Sequence, residues 1–248
     1  MKLILLGTAG YHPNEQRHTS CALIPEAGVM LDAGTAVFRA PRYLATESLD
    51  IFLTHTHLDH VAGLTYLFNT LAQTALKTVR VHAEEAKLRA VEEHLFADDL
   101  FPKRPPYESV PLPVDGEVPL PGGGRLTTFP LEHPGGALGF RLDWPGHSMA
   151  YVTDTWGDLN AEYIRRIAGV NLLLHECFFS DERAEWARTT GHTHTTPVAE
   201  LARHAGAGQL VLIHINPLAP ADDPIGLATA RAIFPATVLG EDGLEVEF

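Results

Sequence analysis

Cysteine is nearly absent: Cys21 and Cys177 are the only two among 248 residues. Two thiols cannot build a disulfide framework, a zinc ribbon or an iron–sulfur cluster on one chain, and they fit a reducing compartment. Long apolar runs are also missing. The opening MKLILLGTAGYHP has one lysine and an apolar run of only Leu3 to Leu6. That is too short for a signal-peptide core, and no later segment approaches the roughly 18 apolar residues of a membrane span, so a cytoplasmic protein is expected. Basic residues are few, 18 Lys plus Arg against 31 Asp plus Glu, for a formal charge of −13. This balance excludes a broad counterion-releasing surface for nucleic acid or anionic lipid, while leaving room for a local groove. With 45% hydrophobic and 20% charged residues the composition is globular, and the length fits a single domain over 1–248. There is no internal repeat, coiled-coil heptad, G-x-G-x-x-G or phosphate loop.

What the chain has in excess is histidine, 14 residues, several of them clustered. The periodicities around them predict many short strands with helices inserted between, an α/β arrangement of sheets covered by helices. Strands are expected at Lys2 to Leu6, in a hairpin of Cys21–Ile24 and Val29–Leu31, at Leu49 to Thr54 and at Thr78 to His82. Later strands are expected at Leu126 to Phe129, Leu138 to Leu142, Met149 to Val152, Asn171 to Leu174 and Leu210 to Ile213, with terminal strands closing the chain. Helices are expected over Val61 to Leu76, Ala83 to Phe96, Asn160 to Ile167, Pro197 to His204 and Leu227 to Phe234. Leu100 to Pro121 holds seven prolines in 22 residues and is read as an irregular lobe, with a substrate rim as its candidate role.

The sharpest signal is THTHLDH, directly after the strand at Leu49 to Thr54. His55 and His57 are two apart, so in extended chain both rings can point one way, and Asp59 and His60 follow in a turn that opens a helix. Packing alone does not call for three histidines and an aspartate within six residues, whereas divalent metals take such N and O donors. His133, Asp154 and His214 each follow an apolar strand as well, and ligands at strand ends can converge on one sheet edge.

THTHLDHVAG, Thr54 to Gly63, resembles the metal motif of the metallo-beta-lactamase-fold hydrolases, and the likeness extends over essentially the whole chain. The resemblance implies a four-layer αβ/βα sandwich with a dinuclear centre at one edge of two sheets. It implies His55, His57 and His133 on one metal and Asp59, His60 and His214 on the other, with Asp154 bridging. Zinc is the expected metal, manganese or iron the alternatives. HECFF, His175 to Phe179, and His194-Thr195-Thr196 are similar to elements of the ribonuclease Z branch, as are Gly7, Thr8, Pro13 and Arg17 of the opening loop. That branch implies Asp59, Glu176 and His194 as catalytic residues, with His194, oriented by Glu176, protonating the leaving oxygen. It further implies a homodimer.

Two departures narrow the reading. Only 20 residues separate His133 from Asp154, room for a hairpin but not for the branch's tRNA-gripping arm. LDAGTAVFRA, Leu31 to Ala40, replaces the branch's D-C-G-E-G element; Asp32 remains and is read as a buried loop-organising acceptor. His192, His175, His12 and His18 are weaker candidates, Cys177 a small buried hydrophobe, and Arg39, Arg42, Lys103 and Arg104 candidate phosphate contacts. The expected activity is therefore a metal-dependent phosphodiesterase acting on an RNA 3′ end or a small phosphodiester. A lactone, thioester or sulfate-ester hydrolase, and a non-catalytic metal-binding module, are the alternatives.

Overall fold

The computed structural model describes residues 1–220 and 222–248. Its chain divides into two compact units, Met1–Val114 with Asp242–Glu247, and Asp115–Glu241 with Phe248. Each is built on one mixed seven-stranded sheet.

In the first unit the strands are β1 (Lys2–Gly7), β2 (Cys21–Ile24), β3 (Val29–Leu31), β4 (Ser48–Phe52), β5 (Thr78–Ala83), β6 (Glu108–Pro111) and the C-terminal β14 (Glu245–Glu247), in the order β14-β1-β2-β3-β4-β5-β6. Pairing is antiparallel from β14 to β3 and parallel from β3 to β6. Strand alternation sends Leu49, Ile51, Val79 and Val81 into a core with Leu64, Leu67, Leu88 and Val91 from the helical segments. The expected helix over Val61 to Leu76 is broken into α1 (Leu58–Val61), a 3₁₀ stretch at Ala62–Tyr66 and α2 (Leu67–Gln73). The cause is local. Ala33 N–H donates to the His60 carbonyl and Gly63 N–H donates to the Ala33 carbonyl, both at 2.8 Å, tying this segment to the loop after β3. A Cβ at Gly63 would lie 2.1 Å from the Gly34 carbonyl oxygen, so only glycine permits the approach. Helix α3 (Glu85–Ala90) continues as a π turn to Leu95, within the helix expected there.

The second unit contains β7 (Gly116–Leu120), β8 (Gly124–Leu131), β9 (Ala137–Trp144), β10 (His147–Val152), β11 (Leu172–Glu176), β12 (Gln209–Ile213) and β13 (Thr237–Leu239), in the order β13-β12-β11-β10-β9-β8-β7. The half from β10 to β13 is parallel, the usual setting for strand ends that present functional loops. Helix α5 (Thr195–Ala205) packs Val198, Leu201 and Ala202 against Val152, Leu173 and Leu212. Helix α6 (Leu227–Ile233) lies within one residue of expectation, and α4 (Ala184–Thr190), closed by Gly191 at φ 76°, was not anticipated. Asn160 to Ile167 forms only a 3₁₀ turn at Glu162–Arg165 rather than a helix.

The reading of Leu100 to Pro121 as irregular is corrected: it supplies β6 and β7. Each lies at the edge of its sheet, where a strand pairs on one side only and tolerates a residue without an N–H. Between His133 and Asp154 the chain makes the β9–β10 hairpin, with Trp144 opposite His147 across Pro145-Gly146 and Gly146 at φ 81°. That is a tight turn with glycine in the left-handed position, and no arm. Among the described residues no helix is long and apolar enough to cross a membrane.

Candidate active site

In the first unit, the four motif donors lie at the C-terminal end of β4, where the chain passes directly into α1. The His55 ring centroid is 4.5 Å from that of His57 and 4.2 Å from that of His60, and His60 Nε2 lies 3.3 Å from Asp59 Oδ2. Asp32, fully buried at the end of β3, organises this cluster. Its carboxylate accepts from His60 Nδ1 at 2.8 Å, from the Thr54 amide at 2.8 Å and from the Thr54 hydroxyl at 3.0 Å. Because the Thr54 proton goes to Asp32, its oxygen accepts from His55 Nδ1 at 3.1 Å. One buried carboxylate thus sets the tautomer of two histidines and leaves Nε2 of each as the nitrogen that could ligate a metal. Asp32 is the organising acceptor expected, not a ligand. Asp59 is steadied separately by the Tyr11 amide, which donates to its Oδ2 at 2.8 Å, with Tyr11 at φ 64°.

In the second unit, His133 follows β8, Asp154 follows β10 and His214 follows β12. Asp154 lies between the two histidines. Its Oδ1 is 3.8 Å from His133 Nε2 and its Oδ2 is 3.3 Å from His214 Nε2, while Thr153 donates to Oδ2 at 2.7 Å. Asp154 and His214 have φ of 52° and 54°, and Asp32 in the other unit has 57°. Left-handed backbone is uncommon outside glycine, and its recurrence at strand ends bearing these side chains marks positions where geometry of the side chain outweighs backbone comfort. Both clusters offer imidazole nitrogens and carboxylate oxygens in mostly buried surroundings, a donor chemistry that fits divalent transition metals.

The residues expected to transfer protons are arranged differently from expectation. Glu176, at the end of β11 and fully buried, holds His192 rather than His194: His192 Nδ1 donates to both carboxylate oxygens, each at 3.1 Å. The carboxylate also accepts from the Thr155 amide at 2.6 Å and the Thr193 amide at 3.2 Å. His192 lies between Phe178, with stacked centroids 4.6 Å apart, and His214, 5.4 Å away, so it stands beside a metal donor. Ligating atoms of Glu176, His192 and His214 lie within 4.8 Å of one another. His194 donates its Nδ1 to Asp181 at 2.6 Å. Asp181 also accepts from the Thr196 amide and hydroxyl at 2.8 and 2.6 Å, closing the first turn of α5. Burial pushes the Asp181 carboxyl up, but these bonds from Thr196 and His194 outweigh it and hold it below the usual range. Sequence reading missed Asp181 entirely and underweighted His192; the spacing of two histidines around Thr193 carries no sign of which one faces Glu176.

The weaker candidates resolve into structural roles. His175 is fully buried, accepts from the Tyr163 hydroxyl at 2.8 Å and donates to the Glu176 carbonyl at 2.8 Å. Burial lowers its pKa, so it is a neutral packing residue. Cys177 is fully buried, and burial pushes its thiol up, as expected of a small hydrophobe. His12 Nδ1 lies 2.8 Å from the Pro13 carbonyl, and His18 Nδ1 3.1 Å from the Thr35 hydroxyl. Arg39 is committed to Asp242 and the Leu6 carbonyl, both at 2.5 Å, and Arg104 to the Tyr107 carbonyl and Ser109 at 3.0 Å, which removes both as ready phosphate contacts.

The profile of the beta-lactamase superfamily domain matches residues 28–215, a span that holds every candidate metal ligand named above. The ribonuclease Z of Synechococcus sp. (strain WH7803) is 42% identical in an alignment that covers 100% of this chain and 96% of that one. The alignment runs over 318 positions although this chain has 248 residues, so the relative carries segments that are lacking here. Among solved structures, the metallo-beta-lactamase fold protein YhfI from Bacillus subtilis superposes with a TM-score of 0.82 at 20% identity, covering 99% of each chain. A diphosphatase from the PhnP family superposes with a TM-score of 0.75 at 20% identity, covering 100% of this chain and 96% of that one. At these identities the superpositions establish the fold.

Proposed function

Given that this chain belongs to the metallo-beta-lactamase superfamily and is a metal-dependent hydrolase related to ribonuclease Z, we propose that it cleaves phosphodiesters, either small ones or the end of a short single-stranded RNA. The observation that carries the reading is the Glu176-held His192 beside His214, because a positioned imidazole next to metal donors suits protonation of a leaving oxygen. His55, His57, Asp59, His60, His133, Asp154 and His214 would hold two divalent ions, zinc by preference for imidazole and carboxylate in this mixture. Bound there, the ions supply a water of lowered pKa and offset the charge that develops on the phosphoryl oxygens.

The chain's own groups do the rest. Asp59, fixed through the Tyr11 amide, accepts a proton from the attacking water. Water oxygen bonds to phosphorus as the bond to the leaving oxygen breaks, and His192 gives that oxygen its Nε2 proton. Glu176 stabilises the imidazolium form while that proton is held. His194 passes from the expected general acid to a positioning role, since its partner Asp181 also fastens the start of α5.

A cytoplasmic setting is supported by two buried free thiols, and a homodimer by the family resemblance; fractionation and sedimentation test these. The activity is tested with protein loaded with about two zinc equivalents and assayed on bis-aryl phosphodiester, phosphomonoester, lactone, thioester and sulfate-ester substrates. Preference for the diester supports the proposal. Preference for an acyl or sulfate ester replaces it, and bound metal with no turnover on any substrate makes the chain a binding module.

A further inference from the structure

Thr8 and Arg17 of the opening loop have no part in the chemistry above, yet both are tied to the far end of the chain. Asp242 lies in the segment Asp242–Glu247 that returns to the first unit, and its side chain is only 6% exposed. Its Oδ1 accepts from the Thr8 amide at 2.9 Å and from the Thr8 hydroxyl at 2.8 Å. Its Oδ2 accepts from the His18 amide at 2.7 Å and from Arg39 Nη1 at 2.5 Å. Because the Thr8 proton goes to Asp242, the hydroxyl oxygen accepts from Arg17 Nη1 at 2.6 Å. The residues after Asp242 are held against β1: Gly243 N–H donates to the Leu5 carbonyl at 2.7 Å, and Leu5 N–H to the Leu244 carbonyl at 3.0 Å. One buried charge thus closes the neck of a loop that runs from Thr8 to His18.

That loop carries the Tyr11 amide, which donates to Asp59 Oδ2 at 2.8 Å. Ring packing does not hold Tyr11 in place, since the residue is 72% exposed. Its φ of 64° is left-handed, a conformation that a tyrosine keeps only where the surrounding backbone imposes it. The tip of the loop is closed by local bonds: Asn14 N–H donates to the Arg17 carbonyl at 2.9 Å, and the Asn14 side chain accepts from the Gln16 and Arg17 amides at 2.9 and 2.8 Å. The neck has one backbone bond of its own, from Ala9 N–H to the His18 carbonyl at 2.8 Å, and otherwise depends on a carboxylate 234 residues from Thr8. From this geometry we infer that Asp242 is a positioning residue: through Thr8 and His18 it sets where the Tyr11 amide lies, and so where Asp59 presents its carboxylate to the metal centre. The inference rests on the reading of Asp59 as a metal donor and adds a residue that touches neither metal nor substrate.

The test uses the full-length protein and two variants. Asp242→Asn turns an NH₂ toward N–H donors that need an acceptor, and the milder Thr8→Val keeps the shape of the side chain and removes only the hydroxyl link. Stepwise zinc binding is measured by competition with a chromophoric chelator. In Asp242→Asn one of the two equivalents should weaken about 10- to 100-fold while the other stays within about threefold, with a smaller change of the same kind in Thr8→Val. In zinc-free protein, hydrogen exchange at the Tyr11 amide should speed up about tenfold or more while the amides of β2 and β4 keep their protection. On a bis-aryl phosphodiester the loss should fall on kcat, with KM little changed. Equal weakening of both equivalents together with faster exchange throughout the first unit would make Asp242 a support of the fold alone and overturns the inference. Unchanged zinc affinity, or unchanged exchange at Tyr11, in a folded Asp242→Asn overturns it as well. Should that variant not fold, Thr8→Val decides by the same two readings. If the wild type takes up no zinc, the metal-centre reading fails and exchange at Tyr11 alone decides whether Asp242 positions the loop. Zinc binding and exchange that behave as expected with no ester hydrolysed support the inference and sink only the phosphodiesterase reading.

Discussion

Both carboxylate oxygens of Glu176 stand 3.1 Å from Nδ1 of His192. The pair behaves as one unit only if the histidine handles a proton in the rate-determining step. His192→Ala and Glu176→Gln are therefore expected to lower kcat on an alkyl leaving group by roughly 10²- to 10⁴-fold, and by less on p-nitrophenolate. The double variant should be little worse than His192→Ala alone. His194→Ala should lose modestly and equally on both leaving groups; a loss that grows with leaving-group pKa in that variant would return the proton to His194.

Asp32 fixes two ligand tautomers at once, so Asp32→Asn offers one acceptor oxygen and an unwanted NH₂ to donors that need a carboxylate. Metal affinity should drop about 10- to 100-fold, measured by competition with a chromophoric chelator. An unchanged affinity would mean that the bonds to His60 and Thr54 serve the loop alone.

The two-residue turn between β9 and β10 leaves no arm to hold a tRNA body, and the −13 charge supplies no general attraction in its place. We expect kcat/KM for precursor tRNA to stay within about tenfold of that for a short RNA carrying the same 3′ end. An excess of two decades or more for the precursor would show that another surface recognises the tRNA body.

Asp50 gives a pH-dependent contribution away from the metal donors. Burial pushes its carboxyl up, but hydrogen bonds from Arg80, at 2.6 and 2.7 Å, and from His82, at 2.7 Å, outweigh that and hold it at about 2. A carboxylate depressed in the folded state stabilises the protein above its unfolded pKa of about 3.9, and the stabilisation fades as pH falls toward 2. The shift corresponds to about 2 kcal/mol at neutral pH. Urea midpoints should separate wild type from Asp50→Asn at pH 6, with the gap narrowing below pH 4 and nearly closed by pH 2; a gap independent of pH would assign the loss to packing.

Local pattern made much of this legible. The β2–β3 hairpin falls on the residues that alternation and the turn at Pro25 to Gly28 predict, and the histidine-rich motif follows its strand as expected. What was hidden depended on partners distant in sequence. Glu176 is 16 residues from His192 and 18 from His194, and only the path of Phe178 to Thr193 decides which one it meets. Likewise the break of one expected helix into α1, a 3₁₀ turn and α2 comes from Ala33, some 30 residues upstream.

The prolines that disguised β6 and β7 have a further effect. An edge strand presents unpaired N–H and C=O groups that can recruit a strand from another molecule. Pro111 and Pro119 lie in the outermost strands of the two sheets. Each removes a donor from such an edge and makes strand addition from outside less favourable. In the crowded cell, where partly opened copies meet often, this is protection against strand exchange that the folded chain does not itself require. Replacing both with valine should leave the native sheets in place and shorten the time to light scattering at a temperature just below unfolding.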